Sequence, residues 1–419
     1  MVARESGTFD VVVIGGGPAG LFCALQVASS GLSVAVLEKN PSCGRKLLIS
    51  GSGQCNITHT GTPQEFLSHY GDHGKFLKPA LFSFPPKRLI AFFSEHATPL
   101  EAGDDGKFFP VSRKSSDILN VLLKVCTEKG VTLLSENPVQ NVRRSSDLFI
   151  IESKNMTVTC EVLVISTGGK SYPATGSTGD GYRLAGSLGQ PVTPVVPALT
   201  PLNVRDYPFS DLAGISLPGA VFSLYKNGVQ TRTFSGDILF THTGLSGPGI
   251  LDASRFMEKG DELRVSFVGK VIQQSFEREL RERLEKSGKH MIRTVISSYP
   301  VPERLLKRIL EAADIDQEIT CAHVTAEMRR KIVRLLTEYP FYIENLGDFS
   351  VAMATRGGIE LSAVHQNTLE SRVVPGLFFC GEVLDIDGDT GGYNLQTAFS
   401  TGYLAAQGIV RKLKPLKKD

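Results

Sequence analysis

The chain has 419 residues, 41% hydrophobic and 21% charged, with a formal net charge of +2. That length argues for two or three domains rather than one core, and the near-neutral balance does not by itself announce a nucleic-acid partner. No apolar run approaches the roughly 20 residues needed to cross a bilayer, and the opening MVARESGTF reads as neither a signal nor a transit peptide; a cytoplasmic protein without a membrane partner is expected.

The seven cysteines, at 23, 43, 55, 126, 160, 321 and 380, are odd in number and none has metal-ligand spacing. Reduced thiols and no metal site are therefore expected. The 42 glycines cluster at Gly15–Gly20, Gly51–Gly53, Gly168–Gly181, Gly244–Gly249 and Gly381–Gly392 without a fixed period. Such clustering suggests backbone brought close to a ligand.

Residues 10–14 (DVVVI) are a short β-branched run that predicts a buried strand. Gly15, Gly17 and Gly20 follow as G-x-G-x-x-G, residues 18–30 predict an apolar helix, and SVAVLE at 33–38 predicts a second strand ending on Glu38. In this unit Gly15 permits the tight turn, Gly17 lets backbone approach a pyrophosphate, and Gly20 lets helix and strand pack closely. The helix N-terminus turns unpaired N–H groups toward phosphate, and Glu38 can accept from ribose hydroxyls.

Farther on, CEVLVISTGG (160–169) predicts a strand ending at Thr167, Gly168 and Gly169, and LFFCGE (377–382) another ending at Gly381 and Glu382. A strand that ends in Gly-acid far from the first motif suits the second half of an FAD site. Gly391 and Gly392 then precede a helix over about 394–412, whose N-terminus would face the flavin N1–C2=O edge and stabilise its reduced, anionic form. The tightly held cofactor is read as FAD. No second G-x-G-x-x-G occurs, so NAD(P)H, as possible electron donor, would have to visit the flavin directly. Residues 193–272 alternate β-branched stretches with Pro and Gly, 273–340 turn helical in pattern with Pro302 at a helix start, and 341–365 return to strands.

The strings GRKLLISGSGQCNIT (44–58), YPATGSTGDGYRLAGSLG (172–189), LFTHTGLSGP (239–248), TRGGIELS (355–362) and GLFFCGEVLDIDGDTGGYNLQTAFSTG (376–402) resemble the BaiN/YhiN-like family of NAD(P)/FAD-dependent oxidoreductases. The resemblance runs from about Asp10 to Ala406. It implies an α/β fold: an FAD domain of the two-dinucleotide-binding type, with a parallel sheet and ββα layers, interrupted by an inserted β-barrel-like domain and a helical domain. On this chain the FAD domain would take 1–192 and 366–419, the β-rich insert 193–272 and 341–365, and the helical insert 273–340. One position departs from the family pattern: Gln54 stands where arginine is usual before Cys55-Asn56, which weakens any anion site there.

Motifs and resemblance together assign the cofactor to Gly15, Gly17, Pro18, Ala19 and Gly20; to Glu38, Lys39, Arg45, Lys46, Gly53 and Asn56; to Thr167, Gly168 and Gly169; and to Gly381, Glu382, Gly391, Gly392, Tyr393, Asn394 and Leu395. The resemblance implies reduction of a C=C bond conjugated to a carbonyl. The substrate would be either a small conjugated carbonyl compound, such as an unsaturated 3-oxo steroid, or ribosomal RNA, whose uracil C5=C6 is conjugated to C4=O. An FAD oxidase or monooxygenase is the alternative of another class. For the proton donor the candidates are Cys55 and His242; each has a plain packing role as its rival, as do Thr58 and Asn56, for which turn capping is the alternative. Arg304/Lys307/Arg308 and Arg329/Arg330/Lys331/Arg334 are basic clusters that either follow an RNA backbone or are solvated helix faces.

Overall fold

The computed structural model describes residues 5–415; the readings made on residues 1–4 and on the last four residues of the basic tail lie outside them. The chain forms two compact units, one running to Pro197 and resuming at Met353, the other spanning Ala198–Ala352.

The first unit is built on strand β1 (Glu5–Ile14), longer than the apolar run suggested. Val11, Val12 and Val13 are fully buried, as expected for a strand covered on both faces. β1 pairs in parallel with β2 (Val34–Leu37) on one side and with β3 (Met156–Ile165) on the other. The upper half of β3 pairs in parallel with β4 (Leu377–Phe379), so the C-terminal segment re-enters the sheet beside the N-terminal one. A short strand, Thr132–Leu134, adds in parallel to β2, and Val139–Ser145 with Leu148–Ser153 form an antiparallel hairpin against the lower half of β3.

The aligned registers Ile14↔Leu37, Ile14↔Ile165 and Phe379↔Ile165 bring the C-terminal ends of β1, β2, β3 and β4 to one edge. Ligands bind at such an edge in open α/β sheets. Helix α1 (Pro18–Ala28) leaves β1 there and is buried on nearly every side. Its cover is α2 (Tyr393–Leu413), which approaches closely: a Cβ on Gly402 would lie 2.7 Å from Ala19 O. Phe22 of α1 packs edge-on to Phe399 of α2, with ring centroids 5.3 Å apart.

The second unit contains a closed six-stranded barrel. Its strands run in the order Leu202–Val204, Gly244–Ser246, Val229–Phe240, Ser216–Lys226, Glu262–Ser266 and Tyr339–Leu346, and the last pairs back to the first. Phe209, Phe222, Phe240 and Phe341 fill its core. Between the fifth and sixth strands lie helices Gln273–Lys286, Ile292–Ile296, Glu303–Ala312 and Ala326–Thr337. Leu280, Leu305 and Ile332 from these helices join the same core as the barrel, so barrel and helices form one body. The strands at the crossings, Val192–Ala198 and Ala354–Ile359, pair with each other. Gly357 also abuts Pro194 O, a close approach within the first unit.

Candidate functional site: a dinucleotide cradle at the sheet edge

Each of the four strand ends carries part of the cradle. After β1, Gly15 takes φ +111°, and a Cβ there would stand 2.6 Å from Ser166 O. Gly16 N–H donates to Glu38 Oε2 at 2.9 Å. Gly17 caps α1 without any side-chain hydrogen bond, Pro18 occupies the first turn, and a Cβ on Gly17 would meet no atom within 4 Å. Gly20 is enclosed: its Cβ would lie 2.1 Å from Gly15 O. The helix N-terminus is thus uncapped and faces open space at Gly17, which suits an anionic group held by backbone N–H.

Glu38 follows β2 and is buried. Its Oε1 accepts from Asn40 N–H at 2.8 Å and from Asn40 Nδ2 at 2.7 Å. The carboxylate therefore fixes the Gly16 turn and the Asn40 turn together, and of its roughly four acceptor sites one, on Oε2, is left over. Lys39 turns the other way, its Nζ 2.6 Å from Asp180 Oδ2 and 2.7 Å from Thr178 Oγ1. Arg45 donates to Asn40 Oδ1 at 3.0 Å.

Lys46, Glu382 and Ser171 form a polar knot between three of the loops. Lys46 Nζ lies 2.7 Å from Glu382 Oε2 and also donates to Ser171 Oγ. Glu382 Oε1 accepts from Ser171 Oγ at 3.1 Å and from Thr355 N–H at 3.0 Å. Thr355 Oγ1 in turn accepts from Lys170 N–H and Ser171 N–H. A Cβ on Gly169 would lie 2.3 Å from Thr355 Oγ1, so the Thr167–Gly169 turn needs its glycines to reach this knot. Gly381 N–H donates to Thr401 Oγ1 at 2.9 Å, which seats the end of β4 on α2.

The Ser50–Gly53 turn and Cys55 hold a run of left-handed residues: Gly51, Ser52, Gly53 and Cys55 all have positive φ. Cys55 is fully buried, and burial pushes its thiol up to about 12, with a Ser50 hydrogen bond acting the other way. In the amide orientation that satisfies both neighbours, Asn56 Oδ1 accepts from Gly392 N–H at 3.1 Å and Nδ2 donates to Thr58 O at 3.0 Å. Thr58 Oγ1 donates to Gln396 Oε1 at 2.7 Å. Gly392, at φ +97°, is the N-cap of α2 and has no side-chain cap; a Cβ there would strike Thr58 O at 2.5 Å. Tyr393 is buried, while Asn394 is bound to the preceding loop through Gly388 N–H and Gly388 O. Leu395 packs against the core of the unit.

The sequence-predicted cofactor residues thus converge in the first unit, at the ends of β1 to β4 and the start of α2. His242 lies in the second unit, exposed, between strands Val229–Phe240 and Gly244–Ser246. Sequence reasoning missed Asn40, Ser171 and Thr355, which tie the loops, and His59, His69 and Asp389 beside Tyr393. Asn40 and Ser171 sit within two residues of motif positions, and Thr355 opens the TRGG string; nothing in the spacing of His69 and Asp389 joins them.

Among the described residues, no cluster of three or more His, Cys, Asp or Glu side chains is placed to hold a metal, and no helix is long and apolar enough to cross a membrane.

Known proteins place this architecture. The chain is 31% identical over 408 residues to a protein of Haemophilus influenzae named ribosomal RNA dihydrouridine synthase, covering 96% of this chain and 98% of the relative. It is 28% identical, over the same shares, to the 3-dehydro-bile acid delta(4,6)-reductase of Clostridium scindens. Among solved structures, E. coli quinol fumarate reductase FrdA matches with a TM-score of 0.53 at 16% identity, over 99% of this chain and 72% of that one. The 3-ketosteroid delta1-dehydrogenase of Sterolibacterium denitrificans matches with a TM-score of 0.51 at 14% identity, over 97% of this chain and 100% of that one; both likenesses concern the fold. The HI0933-like protein Rossmann domain matches residues 9–408, and the chain belongs to that family of flavoprotein oxidoreductases.

Proposed function

We propose that the protein binds FAD along the edge formed by β1 to β4 and reduces a C=C bond conjugated to a carbonyl, with NAD(P)H as electron donor. The observation that carries this reading is the assembly of one cradle from both ends of the chain: an uncapped α1 with open space at Gly17, and an uncapped α2 whose N-cap is held by Asn56. The two curated relatives support the reaction class. Each is named for adding hydrogen to a C=C bond, in a uridine for one and in a bile-acid ring for the other.

The residues fit the cofactor as follows. The N–H groups at the start of α1 would hold the pyrophosphate, and Glu38 the ribose. The Lys46–Glu382 pair would hold the loops on which the ribityl chain rests. The start of α2 would face the flavin ring edge, where a helix N-terminus stabilises negative charge by about 0.3–1 kcal/mol, rising to ~2 kcal/mol when partly buried. When bound, FAD would supply the hydride for such a reduction. Cys55 and His242 remain expectations for the proton donor; the burial of Cys55 favours its packing role.

RNA as the substrate is the second reading, favoured by the relative named for ribosomal RNA. The basic clusters offer it less than their sequence suggests. Arg308 lies 2.9 Å from Asp211 and 2.8 Å from Glu311, Arg304 donates to Asp211 O, and Arg329 is mostly buried beside Glu277. Lys307, Arg330, Lys331 and Arg334 are exposed.

The protein should purify yellow and release FAD, not FMN, on denaturation. With the flavin photoreduced under nitrogen, reoxidation by a 3-oxo-4,6-diene steroid, or by a ribosomal RNA fragment, should outpace the buffer control. Reoxidation by oxygen alone with no response to either acceptor would overturn the reading in favour of an oxidase or monooxygenase.

A further inference from the structure

Residues 59–70, which lie outside the sequence motifs, meet the motif residues 388–394 at the start of α2. The buried ring of Tyr393 stacks with two imidazoles: His69, with centroids 3.9 Å apart and planes 15° apart, and His59, at 5.2 Å and 16°. His69 Nδ1 lies 2.8 Å from Asp389 Oδ2, and Asp389 N–H donates to His69 O at 2.9 Å. Both partners are fixed from behind. Asn394 binds Gly388 through N–H and C=O, and the Tyr70 hydroxyl donates to Tyr393 O at 3.0 Å.

This arrangement has what a proton donor needs. The imidazole has a carboxylate on one nitrogen, which favours the Nδ1–H tautomer and stabilises the imidazolium. The His69 and Asp389 side chains keep 35% and 25% of their surface exposed, so a substrate and solvent can reach them. Asp389 lies on the loop that leads into Gly391 and Gly392, the residues assigned to the flavin ring edge, and His69 reaches it from the Leu67–His73 turn. Cys55, by contrast, is fully buried.

We propose that His69, oriented by Asp389, donates the proton to the α carbon of the conjugated acceptor; the inference rests on the reductase reading above. Hydride addition at the β carbon moves the C=C electron pair toward the carbonyl and leaves an enolate. The Nε2–H bond of the imidazolium then breaks with its pair staying on nitrogen. The proton forms the new α C–H bond as C=O re-forms. The two electrons come from the reduced flavin, replenished by NAD(P)H, and solvent reprotonates the imidazole.

The test has two readouts. In the first, FAD-loaded protein is photoreduced under nitrogen and mixed with a 3-oxo-4,6-diene steroid or a uridine-containing ribosomal RNA fragment. His69→Gln should slow reoxidation about 100-fold or more, the usual range for a lost general acid, with FAD content and the rate of flavin reduction unchanged and partial rescue by added imidazole. Asp389→Ala should lower kcat about tenfold at unchanged KM, and it carries the kinetic test should His69→Gln not fold. Unchanged turnover in these variants beside an active parent overturns the donor assignment and leaves the reductase reading standing. A parent that neither acceptor reoxidises overturns both. The second readout needs no turnover: nitrogen-15 imidazole NMR of the resting protein, with His69 assigned by its loss in His69→Gln. Neutral His69 should carry its proton on Nδ1, and Asp389→Ala should remove that preference. A proton only on Nε2 in the parent overturns the role given to Asp389.

Discussion

Gly17 and Gly20 stand three residues apart in one motif, yet the structure assigns them opposite reasons for being glycine. Gly17 has φ −80° and ψ 177°, which any residue adopts, and a Cβ there touches nothing within 4 Å. Gly17→Ala should therefore cost the empty protein no more than an altered N-cap does, within about 1 kcal/mol. Gly20→Ala would push a Cβ to 2.1 Å from Gly15 O and 2.4 Å from Ser166 Oγ. Overpacking of that kind costs about 1–3 kcal/mol or more, a fall of roughly 2–4 °C in Tm for each kcal/mol in a unit of this size. FAD should invert the order. At a ligand concentration of 100 times Kd the parent gains about 2.7 kcal/mol from binding. If the added methyl weakens binding about 100-fold, Gly17→Ala gains only about 0.4 kcal/mol at the same concentration. Thermal melts of apo-protein with and without FAD, paired with calorimetric titration, read both effects. A Gly17→Ala protein that keeps the full FAD-induced shift, or that melts as low as Gly20→Ala without FAD, would refute the assignment of that space to the cofactor.

Three further outcomes follow from the site and its surroundings. Burial, the largest cause in each case, holds Cys43 at about 11 and Cys55, Cys126 and Cys160 at about 12, with the Glu38 charge adding to the effect at Cys43. Unfolded thiols ionise near 8.5, so the stability these protonated thiols contribute is fully present below about pH 8.5 and is lost as pH rises through about 11–12, by up to ~1.4 kcal/mol per thiol per pH unit. Denaturant titrations in reductant should show unfolding free energy falling steadily from pH 8 to 10, and a flat profile would contradict the burial of these thiols. Cys55→Ala should retain turnover within a few-fold if the thiol only packs, whereas a loss of about 100-fold would make it the acid. Lys46→Met strips the cation from Glu382 and should weaken FAD binding by about 10- to 100-fold, in line with a hydrogen bond to a charged group worth ~1.5–3 kcal/mol. Glu382→Gln in the same background should then cost little more, because the two changes break one interaction.

The dinucleotide half of the site was legible because its chemistry is local. Strand, glycine turn, helix and acid lie within residues 10–38, and each glycine has a job set by residues nearby in the chain. The start of α2 was legible for the same reason: Gly391-Gly392 stand directly before a helical pattern, and Gly392 is its N-cap with no side chain to close it. Even there the partners escaped notice. Glu38 was read as a ribose acceptor, but its oxygens also bind Gly16 and Asn40, and that depends on how the two turns face each other. Lys39 is assigned to the cofactor by its place after Glu38, and its contact with Asp180, about 140 residues away in sequence, is one that no local pattern announces.

What could not be read is the set of pairings whose members share no segment. Lys46 meets Glu382 across |i−j| = 336, and His69 meets Asp389 across |i−j| = 320. Neither distance has a sequence period, so only the parallel registration of β4 on β3 brings these residues to the same edge. A charge in such a knot looks, in sequence, like any solvated lysine or glutamate. The same holds on the helices of the second unit, where sequence leaves Arg304, Arg308 and Arg329 as either an RNA-following or a solvated face, and only the structure places Asp211 and Glu277 beside them. In both cases what matters is the partner, and the partner comes from topology. Asp389 sits inside a recognised motif and His69 outside every one, so no motif joins them; substituting them is what separates a working reductase site from a cofactor cradle alone under the proposal above.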